Sequence, residues 1–185
     1  MLEDYFYHVY NRGNNREAIF KEEKNYYYFK EKFDKYLGSL LDVYAYCLMP
    51  NHFHYLVKSK FTKRPIPPEV YKKAFKDFFI SYSKSINNYY NRTGSLFQPK
   101  YKNKLITETN HLYTIIPYIH NNPLRAGLVK RTEDWIFSSY NDYLFDKVNS
   151  DIRKYVFSLY GSKDEFIEFH KTYSEHQKER DYLFK

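Results

Sequence analysis

The chain has 185 residues, of which 30 are Lys or Arg and 22 are Asp or Glu, so its formal net charge is +8. Hydrophobic residues make up 43% of the sequence, which is enough for a packed core and too much for wholesale disorder. No apolar run approaches the roughly 18 residues of a membrane span, and the first residues lack the pattern of a secretory signal. A single cysteine, Cys47, excludes an internal disulfide. We therefore expect a basic, cytoplasmic protein with no membrane partner.

The positive charge and the aromatic content both bear on the binding partner. Lys and Arg side chains that neutralise phosphates release counterions, so this charge favours a polyanion such as nucleic acid. Aromatic residues make up 22% of the chain and are able to stack on nucleobases. A plainer explanation stays open, because many cytoplasmic proteins are basic and most of the 23 tyrosines suit packing. Composition alone does not identify the partner.

The first half of the chain alternates between strand and helix patterns. Residues 4–10 alternate in β-forming side chains and predict a strand. Apolar residues at helical spacing predict a helix over 21–41. Two β-rich runs, 42–48 and 52–58, flank a tight turn at 49–51, which predicts an antiparallel hairpin.

The second half begins with a long amphipathic helix over 69–91, which follows a proline-rich break. A strand over 100–107 comes next. The following helix has Thr109 or Asn110 as its expected cap and ends at Asn122-Pro123. Two short helices are predicted near the end, at about 151–160 and 163–176.

The order strand, helix, strand, strand, helix, strand predicts an α+β fold. It matches a ferredoxin-like split βαβ layout, in which an antiparallel sheet carries helices on one face. A further helix, which ends at Asn122-Pro123, completes this order, and the two predicted helices at about 151–160 and 163–176 form a helical C-terminal extension. We place the main domain at residues 1–143 and the extension at 144–185.

Two histidines, His52 and His54, stand two residues apart on a predicted strand. The two-residue period of a strand sends both imidazoles to one face, which we expect to be the open one, and sends Phe53 to the other face, under the helices. Imidazoles at this spacing are able to bind one divalent ion and leave coordination positions for substrate oxygens. The alternative is a chance pair without function, and the spacing does not choose the metal.

Tyr118 and Asn122 are four residues apart and lie on one face of a predicted helix. A phenol and a carboxamide presented together are able to serve as nucleophile and metal ligand, although 23 tyrosines make such pairs common. Pro117 removes a helix amide directly before the tyrosine, so we expect it to kink the helix or mark its local start. The kink would either aim Tyr118 or misalign it.

Five segments occur in an informative order: YHVYNRGNNREAIF at 7–20, MPNHFHYLV at 49–57, GSLFQPKYKNKLI at 94–106, YIHNNPLRAGLV at 118–129 and WIFSSYNDY at 135–143. Together they resemble the REP-associated tyrosine transposases, which belong to the single-tyrosine HUH transposases of bacterial insertion sequences. The resemblance covers about residues 5–143. Several ordered motifs with compatible spacing are more specific than any one of them.

The resemblance implies a role for each of these residues. His52 and His54 match the HUH histidines that bind Mg²⁺ or Mn²⁺, and Asn122 matches the polar residue that completes the metal site. Tyr118 matches the catalytic tyrosine, which attacks phosphorus, forms a 5′-phosphotyrosine and frees a 3′-OH. The implied function is a metal-dependent single-stranded DNA endonuclease and strand transferase acting on hairpin-forming repeat DNA. No nucleotide cofactor is needed, and monomer and homodimer both stay open.

Six residues are candidates for DNA contact. Some lie in the turn after the first strand, some alternate along the strand over 100–107, and one follows the tyrosine helix. For this last one, an arginine, a structural ion pair is an equal alternative. The six are Arg12, Asn14, Lys100, Lys102, Lys104 and Arg125.

Three other functions compete with the transposase interpretation. A domesticated protein of the same fold would bind DNA without cutting it. An RNA-recognition-like module would need stacking aromatics where this sheet presents His52 and His54. A zinc hydrolase would need a general-base carboxylate beside the histidines, and the sequence offers no obvious one.

Overall fold

The computed structural model describes residue 1 and residues 4–183, with side chains as far as residue 173. The strands are β1 (Phe6–Arg12), β2 (Leu41–Met49), β3 (His52–Ser59) and β4 (Lys102–Ile106). The helices are α1 (Glu23–Leu37), α2 (Pro68–Tyr89), α3 (Thr109–His120), α4 (Asn122–Arg125), α5 (Ser139–Leu144), α6 (Ser150–Tyr160) and α7 (Lys163–Leu183). No helix in the described part of the chain is both long enough and apolar enough to span a membrane.

The four strands form one sheet in the order β2-β3-β1-β4. Strand β1 lies between β3 and β4 and is antiparallel to both. Because α1 connects β1 to β2 while β3 lies between them, the layout is the split βαβ arrangement. The predicted α+β, ferredoxin-like fold is confirmed.

The chain divides into two compact units. The first contains Met1–Val43 and Leu48–Ile106, and its core is aromatic. Phe33 of α1 stacks on Tyr55 of β3 with ring centroids 4.2 Å apart, and Phe29 packs edge-on to Phe78 of α2 at 4.9 Å. Helices α1 and α2 therefore cover the sheet face that bears Phe53 and Tyr55, as the alternation of residues predicts.

The second unit contains Tyr44–Cys47 and the chain from Thr107 onward. Many of its buried residues come from α3, α5, α6 and α7, and Phe166 of α7 is fully buried. Helices α6 and α7 confirm the two predicted C-terminal helices, and α7 extends beyond the predicted end at residue 176. The boundary at residue 143 stays a prediction.

Several predicted boundaries are wrong for local reasons. Helix α1 ends before Gly38, not at residue 41, and β2 begins at Leu41. Neither Thr109 nor Asn110 caps α3, because the N-cap position is Glu108 and α3 begins at Thr109. Helix α3 ends at His120, and the short α4 then begins with a proline in its first turn, where a missing amide costs nothing.

Candidate functional site

His52 and His54 lie on one face of β3, and Phe53 lies on the other. In the register with β1, His52 is opposite Arg12 and His54 is opposite Tyr10. Phe53 packs against Phe29 of α1, with ring centroids 5.1 Å apart. The predicted alternation is confirmed, and the imidazoles share the face that α1 and α2 do not cover.

Each histidine uses its Nδ1 atom in a hydrogen bond within the first unit. Nδ1 of His52 lies 2.7 Å from Oδ1 of Asn51, which only accepts, so Nδ1 carries the proton and Nε2 keeps a lone pair. Nδ1 of His54 lies 2.9 Å from Nε2 of His8. A metal ion would therefore be bound through Nε2 of both histidines.

The surroundings of both histidines favour the neutral imidazole that ligates metals. Burial lowers the pKa of His54 well below its usual value, and the neighbouring His8 and His52 act in the same direction. Burial also lowers the pKa of His52, and the positive charge of Arg12 adds to this effect. Although α1 and α2 do not cover this face, the His54 side chain is only 7% exposed, and the rings of His8 and Tyr10 pack against it.

A cavity of about 470 Å³ opens beside the two histidines. Its wall contains four cationic side chains, which makes it a strongly positive concavity. They come from the end of β1, the turn after it, the segment before β4 and the first residue of β4. The four are Arg12, Arg16, Lys100 and Lys102.

The turn after β1 is fixed in place by its backbone. The Gly13 amide donates to the carbonyl of Asn51 over 2.7 Å, which joins this turn to the loop before His52. A Cβ atom at residue 13 would lie 2.0 Å from the Glu17 carbonyl oxygen, so only glycine fits. The tight turn brings Arg12 and Arg16 to the same cavity.

The predicted DNA-contact residues of the first unit fall into two groups. Arg12, Lys100 and Lys102 line the cavity with the histidines. Lys104 lies one step further along the same sheet face, opposite His8, and Asn14 is outside the cavity wall. Arg16 is not among the predicted contacts, although it lines the cavity and stands in the same RGNNR turn.

In the second unit, Tyr118 and Asn122 are linked by a hydrogen bond. Nδ2 of Asn122 donates to the backbone carbonyl of Tyr118 over 2.8 Å, across the junction where α3 ends at His120 and α4 begins at Asn122. This bond uses the nitrogen of the carboxamide and leaves Oδ1, the atom that ligates hard cations. The guanidinium of Arg125 lies 5.5 Å from the centre of the Tyr118 ring. Among the residues whose side chains are described, Arg125 has no ion pair, and both interpretations of this arginine stay open.

The donor set fits a divalent ion that takes most of its ligands from elsewhere. The described residues contain no group of three or more His, Cys, Asp or Glu placed to hold a metal. Two neutral imidazoles fit an ion that completes its coordination with phosphate, carboxamide or water oxygens. A closed structural zinc site, which needs four protein ligands, does not fit these residues.

The family model described as "Transposase IS200 like" matches residues 2–122, which is more than half of the chain. The chain belongs to the IS200-like transposase family. The matched range contains both histidines, Tyr118 and Asn122, and it stops before α5, α6 and α7. No curated protein matches this IS200-like transposase.

Among solved structures, this IS200-like transposase is similar to one described as a REP-associated tyrosine transposase bound to a REP hairpin. The TM-score is 0.60 and the sequence identity is 17%, over 80% of this chain and 84% of that chain. At this identity the match shows a shared fold. It agrees with the resemblance found in the ordered motifs.

Proposed function

We propose that this IS200-like transposase is a metal-dependent endonuclease and strand transferase that acts on single-stranded, hairpin-forming repeat DNA. The observation that carries the proposal is the positive cavity beside His52 and His54, whose Nδ1 atoms are both hydrogen-bonded. That cavity combines two neutral metal ligands with four cations suited to phosphates. The fold match to a transposase bound to a REP hairpin supports hairpin DNA as the partner.

In the proposed reaction Tyr118 is the nucleophile. Its phenolic oxygen attacks the scissile phosphorus, the bond from phosphorus to the 3′ oxygen breaks, and the leaving oxygen takes a proton to become a 3′-OH. The product is a 5′-phosphotyrosine, which keeps the energy of a phosphodiester. Attack by a DNA 3′-OH on this linkage releases the tyrosine and rejoins the strand, so no nucleotide cofactor is consumed.

The other residues bind and orient the DNA. A bound Mg²⁺ or Mn²⁺ would polarise the scissile phosphate, with His52, His54 and Oδ1 of Asn122 as its protein ligands. Arg12 and Lys102 hold neighbouring phosphates in the cavity. Arg125 would neutralise negative charge near the Tyr118 phenol. The other predicted DNA contacts would extend the binding surface; they are Asn14, Arg16, Lys100 and Lys104.

The decisive experiment tests for a covalent intermediate. End-labelled hairpin DNA from the repeats that flank the gene is incubated with the protein and Mn²⁺, and the products are separated on a denaturing protein gel. We expect label that lies 3′ of the cut to migrate with the wild-type protein and not with Tyr118→Phe. Tyr27→Phe, an exposed tyrosine of α1, is the matched control and should retain the adduct.

Each other outcome points to a different function. Tight DNA binding without an adduct, over several hairpins and both metals, would indicate a domesticated DNA-binding protein. Zn²⁺ supporting activity better than Mg²⁺ and Mn²⁺ would indicate a zinc hydrolase. Retention of the adduct by Tyr118→Phe would assign the nucleophile to another residue.

A further inference from the structure

Helix α3 passes through a proline just before the proposed nucleophile. Pro117 is the ninth residue of α3, so it does not start the helix. Proline has no amide hydrogen, and the carbonyl of Tyr113, four residues earlier, therefore loses its normal helical partner. A carbonyl that is withdrawn from water without a partner costs on the order of 1–3 kcal/mol, so a donor from outside α3 would stabilise this half-buried position.

That donor is a tyrosine of α6. The Tyr160 hydroxyl donates to the Tyr113 carbonyl over 2.8 Å, and the two tyrosine rings stack with centroids 4.8 Å apart. Tyr160 is 8% exposed, and its burial raises the pKa of the phenol, which keeps the donated proton in place. The hydroxyl thus replaces the hydrogen bond that Pro117 removes.

The other end of α3 is held by α7. Nδ1 of His170 donates to its own helix carbonyl at Phe166 over 2.7 Å, so Nε2 accepts from Nδ1 of His120 over 2.9 Å. This order of protons makes Nε2 of His120 the acceptor for the Ser139 hydroxyl, 2.8 Å away. The carboxamide of Asn121 donates to the His170 carbonyl over 3.1 Å. The residues directly after Tyr118 are therefore attached to α7.

We propose that the pair formed by α6 and α7 positions the tyrosine helix, and that Tyr160 is a positioning residue for Tyr118. The expected effect of Tyr160 on the reaction rate rests on the proposed function, in which Tyr118 is the nucleophile. Pro117, next to the proposed nucleophile, has no amide hydrogen to donate to the Tyr113 carbonyl. The Tyr160 hydroxyl of α6 donates to that carbonyl in its place. Both helices lie beyond residue 122, where the match to the family model ends.

The test replaces the donor and then restores the amide. Tyr160→Phe keeps the stacked ring and removes only the hydroxyl. Adding Pro117→Ala returns an amide that bonds to the Tyr113 carbonyl within the helix. The matched control is Ser158→Ala, because this exposed hydroxyl of α6 bonds to its own helix at the Tyr155 carbonyl and to nothing else among the described side chains. Each protein is measured by amide hydrogen exchange over residues 113–120 and by the rate of adduct formation at saturating DNA.

We expect Tyr160→Phe to exchange severalfold faster over this segment and to melt about 2–4 °C lower. The rate of adduct formation should fall about tenfold while the Kd for DNA stays unchanged, because a misplaced nucleophile slows the reaction without affecting phosphate binding. Pro117→Ala should restore both the exchange and the rate in the Tyr160→Phe background. Ser158→Ala should match wild type throughout.

Three results would overturn the inference: unchanged exchange in Tyr160→Phe, slow chemistry that Pro117→Ala fails to rescue, or faster exchange with an unaltered reaction rate. Failure of the proposed function is recognised separately. If the wild-type protein forms no adduct, or Tyr118→Phe forms one, the assigned nucleophile is wrong. The exchange measurement and its rescue still decide whether Tyr160 completes α3.

Discussion

At the scale of single residues, the hydrogen bonds of the histidines carry more information than their spacing. The His-x-His spacing predicts a shared face, and the structure adds that Nδ1 of each imidazole is occupied. A histidine whose Nδ1 is held by a neighbour presents Nε2 in a fixed direction, as metal-ligating histidines commonly do. His8 is the neighbour that orients His54, and it lies on a different strand.

We expect His8 to affect metal affinity without binding the ion. His8→Leu removes the partner of His54 and should weaken Mn²⁺ binding by about tenfold, because loss of an orienting partner typically costs 10–100-fold. His8→Gln, whose side-chain oxygen accepts the same hydrogen bond, should retain most of the affinity. The measurement is a Mn²⁺ titration followed by electron paramagnetic resonance. Equal affinity in His8→Leu and wild type would exclude this role.

The sequence predicts the shared face of His52 and His54, because that depends only on the local periodicity of one strand. It does not predict the pairing of His8 with His54, which depends on the register of β1 against β3. The approach of Arg16 to the cavity likewise depends on a turn that closes only when Gly13 bonds to the Asn51 carbonyl. Long-range register is the physical information that spacing along one segment lacks.

At the scale of elements, the lysines of the β4 region lie along one edge of the sheet. Lys102 is opposite Tyr10 and Lys104 is opposite His8 across β1, so both share the face of the histidine pair. Lys100 comes just before β4 and lines the cavity with Lys102. The prediction of lysines alternating on one face agrees with this placement, and their role in DNA binding stays a prediction.

The double variant Lys100→Ala/Lys102→Ala tests that edge. Each phosphate contact to single-stranded DNA contributes about 0.7 to the slope of log K against log salt, so the double variant should lower the slope by about 1.4. Lys35→Ala, on α1 at the other face of the sheet, is the control and should keep the wild-type slope. Fluorescence anisotropy at several salt concentrations measures both. An unchanged slope in the double variant would remove these lysines from the DNA interface.

The short helices α4 and α5 are elements that the sequence does not predict. The strands and long helices follow hydrophobic periodicity, whereas α4 and α5 have four and six residues and give too few repeats for a period. Pro117 was expected to kink α3 or start it, and it does not start it. The sequence does not reveal that Tyr160, 43 positions later, supplies the missing donor, because that contact exists only after α6 packs in the second unit.

At the scale of the whole molecule, buried neutral histidines connect stability to pH. Burial lowers the pKa of His170 to about 3, and it lowers the pKa of His120 well below its usual value. Both rings already use their two nitrogens in hydrogen bonds, and Nε2 of each accepts. A second proton on either ring therefore breaks a hydrogen bond and places a charge in an apolar interior.

The sign of the pH effect follows from which state binds the proton more readily. An unfolded histidine has a pKa near 6.5, above the value of about 3 for folded His170, so the unfolded chain binds more protons between these values. Above pH 6.5 the His170 side chain is neutral in both states and leaves the free energy of unfolding unchanged. As the pH falls from 6.5 towards 3, the unfolded chain takes up a proton that the folded protein does not, and the free energy of unfolding decreases. The free energy of unfolding should drop by up to about 1.4 kcal/mol per pH unit for this one group.

His170→Gln isolates the contribution of this group, because glutamine does not titrate and still offers an oxygen to Nδ1–H of His120. Urea unfolding from pH 7.5 to 4.5 measures the free energy of unfolding of both proteins. Below pH 6 it should decrease less steeply in His170→Gln than in wild type, by about 1.4 kcal/mol per pH unit. Above pH 7 the two proteins should have parallel stability profiles, since neither state of His170 is charged there. Identical slopes below pH 6 would mean that His170 is already protonated in the folded protein. That result would contradict the order of protons from Phe166 to Ser139, on which the attachment of α7 to the tyrosine helix depends.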